Sequence, residues 1–110
     1  LYVFEAPIDL LSYISLFPEE WQEHNYVACC GTSSIPVLEM LRQLPRLRQV
    51  YLCLDNDAAG HAASERMAKL LEEHGISAEW LVPQQKDWND DLKAEQENKM
   101  ERSELCQTFC

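Results

Sequence analysis

Val50-Tyr-Leu-Cys-Leu-Asp55-Asn-Asp57-Ala-Ala-Gly60 is the stretch that decides the fold. An apolar run from Val50 to Leu54 passes directly into two carboxylates at i and i+2, followed by small residues and a glycine. A near-continuous apolar run of that length reads as a buried parallel strand, because an exposed antiparallel strand would alternate. Asp55 and Asp57 then fall where the strand ends, the edge at which open α/β sheets place their ligands. Two neighbouring carboxylates repel, and a hard divalent cation is the usual means of keeping both ionised. A third acid, Glu5, closes a second short apolar run, Leu1-Tyr-Val-Phe. The combination points to magnesium and phosphate chemistry.

Working outward, strands and helices alternate. The first strand is Leu1 to Phe4, and Pro7 suits the first turn of a helix that ends near Pro18. Asn25 to Cys30 is the second strand, and Gly31-Thr32-Ser33-Ser34 supplies hydroxyl caps for a helix running toward Pro45. After the Val50 strand, Ala58 to His74 is a third helix, stopped by Gly75 as a C′ glycine. Ala78 to Val82 is the fourth strand, with Trp80 expected in the core, and Lys86 to Leu92 is a structured loop opening a final helix. From Lys93 to Glu104 the chain is charged, a solvated helix or a frayed one. The expected architecture is a Rossmann-like three-layer α/β sandwich with a mostly parallel four-stranded sheet flanked by helices. The strand order 2-1-3-4 brings Glu5 beside Asp55 and Asp57; it follows from the proposed site and lends that site no separate support.

Composition narrows the function. The chain has 110 residues, enough for one domain, and 46% hydrophobic content is ordinary for a globular protein. Residues 1–92 read as the domain and residues 93–110 as a charged tail. The chain opens inside a strand, and it is expected to be a piece of a larger protein. No apolar run approaches the ~20 residues of a membrane span. Cys29, Cys30 and Cys53 lie in apolar runs and read as free thiols; Cys106 and Cys110 match no trusted zinc spacing. Free thiols imply a reducing compartment, the cytoplasm. The charge of −10, from 19 acids against 9 Lys and Arg, means that any grip on nucleic acid comes from a cation or from neighbouring domains.

The set Phe-Glu5-Ala-Pro-Ile-Asp9, Cys-Gly31-Thr32 and Leu-Asp55-Asn-Asp57-Ala-Ala-Gly60 resembles the Toprim domain shared by primases, topoisomerases and OLD-type nucleases. The primase branch is nearest, and Lys86-Asp87-Trp-Asn-Asp-Asp-Leu92 is similar to Toprim-like domains of plasmid and conjugative-element proteins. The resemblance implies a catalytic role for Glu5 as general acid or base, or as a metal ligand. It implies Mg2+, with Mn2+ as a substitute, held by Asp55 and Asp57 and extended by Asp9 and Asp87. Asn89 and Asp90 compete for a further position, and Gly31, Thr32 and Gly60 are candidates for contact with a phosphate. The family's glycine after the glutamate is here Ala6, followed by Pro7, which stiffens the turn. The implied partners are DNA or RNA, nucleotides, and other domains of the parent protein, with no membrane.

Each candidate also has an ordinary reading. Asp55 and Asp57 suit helix capping, and Asp9 suits the dipole of a first helical turn. Asp87 suits a loop cap, and Gly31-Thr32 a plain turn. Trp80 is read as core rather than as a base-stacking platform, Trp88 in the Asp87 loop is a candidate stacking residue, and His61, beside Gly60, is a solvent-facing residue or a substrate contact. Three functions stay open: a primase-like nucleotidyl-transfer module, a DNA nuclease or nicking module on the same acids, and a non-catalytic assembly module.

Overall fold

The structure, a computed structural model, describes the backbone of residues 1–109 and the side chains of residues 1–102. Its elements are β1 (Tyr2–Phe4), α1 (Pro7–Leu16), a 3-10 turn (Trp21–Glu23), β2 (Tyr26–Ala28), α2 (Ile35–Gln43), β3 (Gln49–Leu52), α3 (Ala58–Glu73), β4 (Ser77–Trp80) and α4 (Trp88–Phe109). The sheet order is β2-β1-β3-β4 and every pairing is parallel. Val3 lies opposite both Val27 and Leu52, so β1 and β3 are neighbours as the acids required.

Alternation along each strand sorts side chains into two apolar layers. Val3, Val50, Leu52 and Leu54 face one side, where Val37 of α2 and Ala63, Met67 and Leu71 of α3 close over them. Phe4 and Cys53 face the other, with Trp88 of α4 and the partly buried Tyr2, Tyr13, Tyr26 and Tyr51 around them. Tyr2 stacks on Tyr51 at 4.8 Å, and Tyr13 meets Trp88 edge-on at 5.0 Å. A sheet apolar on both faces must be covered on both, which makes the three layers.

Helix ends follow local chemistry. Pro7 and Pro36 each lie in the first turn of a helix, where a missing N–H is harmless. Gly75, at φ 72°, closes α3: its N–H reaches Glu72 O at 3.0 Å and the N–H of Ile76 reaches Leu71 O at 2.9 Å. That is the paired C-terminal motif in which a left-handed residue satisfies the last carbonyls.

Three expectations are corrected. Trp80 is 43% exposed rather than core, because β4 is an edge strand and ends at that residue. Cys30 lies beyond β2, exposed and at φ 55°, while Cys29 and Cys53 are buried free thiols. The strands are shorter than the apolar runs, since Cys29 and Cys53 hydrogen-bond like strand residues but already lead into loops. The charged stretch from Lys93 forms one continuous helix with Trp88. The thiols of Cys106 and Cys110 lie outside the described residues. No helix among the described residues is long and apolar enough to cross a membrane.

Candidate metal and phosphate site

Parallel strands β1 and β3 end side by side, and their C-terminal ends deliver Glu5 and Asp55 to one edge of the sheet. Each carboxylate has an oxygen, Glu5 Oε1 and Asp55 Oδ1, that is buried and has no hydrogen-bond partner among the described residues. A buried, unpartnered carboxylate oxygen is costly and calls for explanation by an ion or a proton. Burial first, then the nearby Glu5, and then Asp87 and Asp57 push the Asp55 carboxyl up to about 6.

Asp57 is the N-cap of α3: Oδ1 accepts the Gly60 N–H at 2.7 Å. Gly60 therefore does not offer its amide to an anion. Its glycine identity has a different cause: a Cβ there would lie 2.0 Å from the carbonyl oxygen of Asp55, so the helix seats against the carboxylate-bearing loop only without a side chain. The tight β3–α3 link in turn holds Asp55 at the sheet edge.

Asp9 lies in the first turn of α1 and is 3% exposed. Its Oδ1 accepts the N–H of Asn89 at 3.2 Å, so α1 caps the start of α4 across the fold. Burial is the main cause that pushes Asp9 up to about 6; the Asn89 amide pulls the other way, and Asp87, Asp55 and Asp90 add repulsion. Asp87 Oδ1 accepts the Asp90 N–H at 2.8 Å and caps α4 locally. Asp91 takes the N–H groups of Gln84 and Gln85, at 2.9 and 2.7 Å, which shapes the loop before α4. Asp9, Asp55 and Asp87 are thus electrostatic neighbours, as Asp55 is with Glu5 and Asp57.

The glycine turn also meets the site. The Gly31 N–H donates to the Glu5 carbonyl at 3.0 Å, and Arg66 of α3 donates to the Thr32 carbonyl at 2.5 Å. Ala6 has φ −129° and ψ 149°, extended backbone that alanine adopts freely, so no glycine is needed there. Trp88 is core: 6% exposed, with Nε1 donating to the Cys53 carbonyl at 3.0 Å.

Two contributors had no signal in sequence. Asn56, between the aspartates, donates its N–H to Lys86 O at 2.6 Å and Nδ2 to Pro83 O at 3.1 Å, tying the β3–α3 loop to the β4–α4 loop. Arg66 lies far along α3 from the motif. Only the fold brings either to its partner.

The donor set is all oxygen, with two unpartnered buried carboxylate oxygens, and this fits a hard cation such as Mg2+. Among the described residues no group of three or more His, Cys, Asp or Glu is gathered closely enough to enclose an ion. Magnesium keeps several waters and is commonly bound through one or two carboxylates together with substrate phosphates, and Glu5 and Asp55 offer that number of carboxylates.

A doubly covered parallel sheet with acids at the carboxyl ends of its two central strands defines an α/β domain whose candidate site lies at the edge where such sheets place their ligands. The sequence model of the family described as Toprim-like matches residues 2–92, and the chain belongs to that family. Over 62 residues it is 39% identical to a protein named DNA primase from Mycoplasma pneumoniae (strain ATCC 29342 / M129 / Subtype 1). The match covers 54% of this chain and 10% of that primase, so the chain spans a small part of its relative. No solved structure matches it.

Proposed function

We propose that this chain is the Mg2+-dependent nucleotidyl- or phosphoryl-transfer module of a primase-like nucleic-acid enzyme. It would act in the cytoplasm on DNA or RNA, together with neighbouring domains that supply the basic surface this chain lacks. The single observation that carries the reading is the pair of buried, unpartnered oxygens on Glu5 and Asp55 at the ends of adjacent strands. Family membership and the primase relative support the same class. The similarity of the Lys86–Leu92 segment to mobile-element proteins extends the reading to a plasmid or conjugative element.

In this reading Glu5 and Asp55 hold the ion, with Asp57, Asp9 and Asp87 setting the surrounding negative potential or joining through water. Bound Mg2+ supplies neutralisation of charge on phosphate oxygens. In the alternative to ligating the ion, Glu5 would take the proton of an attacking hydroxyl or return one to a leaving oxygen. Asp57 and Gly60 keep the β3–α3 turn tight, and Asp9 anchors α1 to α4, so the acids stay at one edge. The same acids serve a DNA nuclease or nicking module equally well.

A titration of Mg2+ into the native chain and into Asp55→Asn, followed by thermal unfolding and calorimetry, tests the reading. Stabilisation of the native chain that is lost in Asp55→Asn supports it; no metal effect on the native chain removes it. In the second case the non-catalytic assembly reading takes over. That reading is favoured by the absence of any three-ligand group among the described residues and by the capping duties of Asp57 and Asp87.

A further inference from the structure

An aromatic ledge adjoins the carboxylates. Trp80 ends β4 at the same sheet edge and is 43% exposed. His61, in the first turns of α3, lies near-parallel to its indole, with ring centroids 6.4 Å apart and planes inclined by 25°. Both side chains are exposed to solvent. Their arrangement is held. His61 Nε2 lies 2.9 Å from Asn56 Oδ1, while Asn56 Nδ2 and N–H bind the Pro83 and Lys86 carbonyls. With Nδ2 committed to Pro83, Oδ1 is the acceptor, so His61 Nε2 carries the hydrogen. Asn56 sits between Asp55 and Asp57, so the ledge is tethered within one residue of the acids.

We propose that Trp80 and His61 form a stacking platform for a base of a single-stranded nucleic acid whose backbone passes the Glu5–Asp55 edge. The inference rests on the nucleic-acid reading above and names how the strand is gripped. Charge supplies the argument for that occupant. A net charge of −10 leaves little phosphate affinity, whereas base–aromatic stacking does not depend on charge and tolerates any sequence. A strand approaching this acidic chain gains from a contact that does not rely on charge, and the exposed Trp80 and His61 rings offer one. A free nucleotide offers the same base face, and the test separates the two.

The experiment follows binding of a short fluorescein-labelled oligothymidylate to the full chain by anisotropy, at low ionic strength with Mg2+, in native, Trp80→Ala and Trp80→Phe proteins. Thermal stabilisation by Mg2+ is measured on each. Trp80→Ala is expected to weaken binding about fivefold or more, the size of one lost stacked base, while Trp80→Phe recovers most of it. The Mg2+ stabilisation should be the same in all three. Unchanged binding by Trp80→Ala, equal losses in both variants, or no binding by the native chain would overturn the proposal. So would thymidine monophosphate displacing the oligomer as well as unlabelled oligomer does at equal base concentration, which makes the ledge a nucleotide site. Loss of the metal effect in the native protein would count against the metal reading alone, because stacking is read from the Trp80 variants.

Discussion

Asp55 and Asp9 carry the clearest energetic signature in the chain. Both carboxyls stand at about 6, raised chiefly by burial, so the folded protein holds their protons more tightly than the unfolded chain does. The sign follows from linkage: the stability they contribute is present below the unfolded value of 3.8 and is lost as pH rises toward 6. Metal-free protein is therefore expected to melt at lower temperature at pH 7 than at pH 4.5, by about 1 kcal/mol per group once solvent screening is allowed for. Mg2+ held by Asp55, as proposed, would compete with its proton, so the stabilisation by metal should be larger at pH 7.5 than at pH 5. Calorimetric melts in chelator and in Mg2+ across that range check both. Asp55→Asn removes the buried charge and keeps the shape, so it should raise metal-free stability at pH 7 while erasing the response to Mg2+. A variant that is less stable without metal would contradict that account.

Among elements, α3 depends on the absence of a single methyl group. A Cβ at Gly60 would meet the Asp55 carbonyl at 2.0 Å, so Gly60→Ala forces the helix away from the β3 end. A loss of about 2 kcal/mol or more is expected in urea unfolding, despite the better helix propensity of alanine. At α4, Asp87→Ala deprives the Asp90 N–H of its cap and should cost about 1 kcal/mol. Amide exchange in the first turn of α4 reads that loss directly. Asp9 supports the same helix end from across the fold, so a change at Asp87 alone should leave α4 formed.

For the whole molecule the governing quantity is charge. With a formal charge of −10 on 110 residues, self-repulsion opposes the compact state. Raising monovalent salt screens it, so the melting temperature of the metal-free chain should climb between low and physiological ionic strength. A flat or falling salt dependence would show that local contacts outweigh the net charge. The long α4 adds to the elongation, and the molecule measures 57 × 31 × 20 Å.

The parallel sheet, the helix starts at Pro7 and Pro36, the Gly75 stop and the placing of Glu5, Asp55 and Asp57 at strand ends were legible in the sequence, because hydrophobic run length, proline and glycine act locally. Trp80 and Trp88 were not legible: both are tryptophans near apolar residues, and one is exposed on an edge strand while the other is buried under α1. Asn56 joining two loops, Asp9 capping a helix 80 residues away and Gly60 lying against the Asp55 carbonyl likewise depend on where distant segments meet. Local chemistry set which elements form and where they end, and the contacts between them were decided only by close packing in three dimensions.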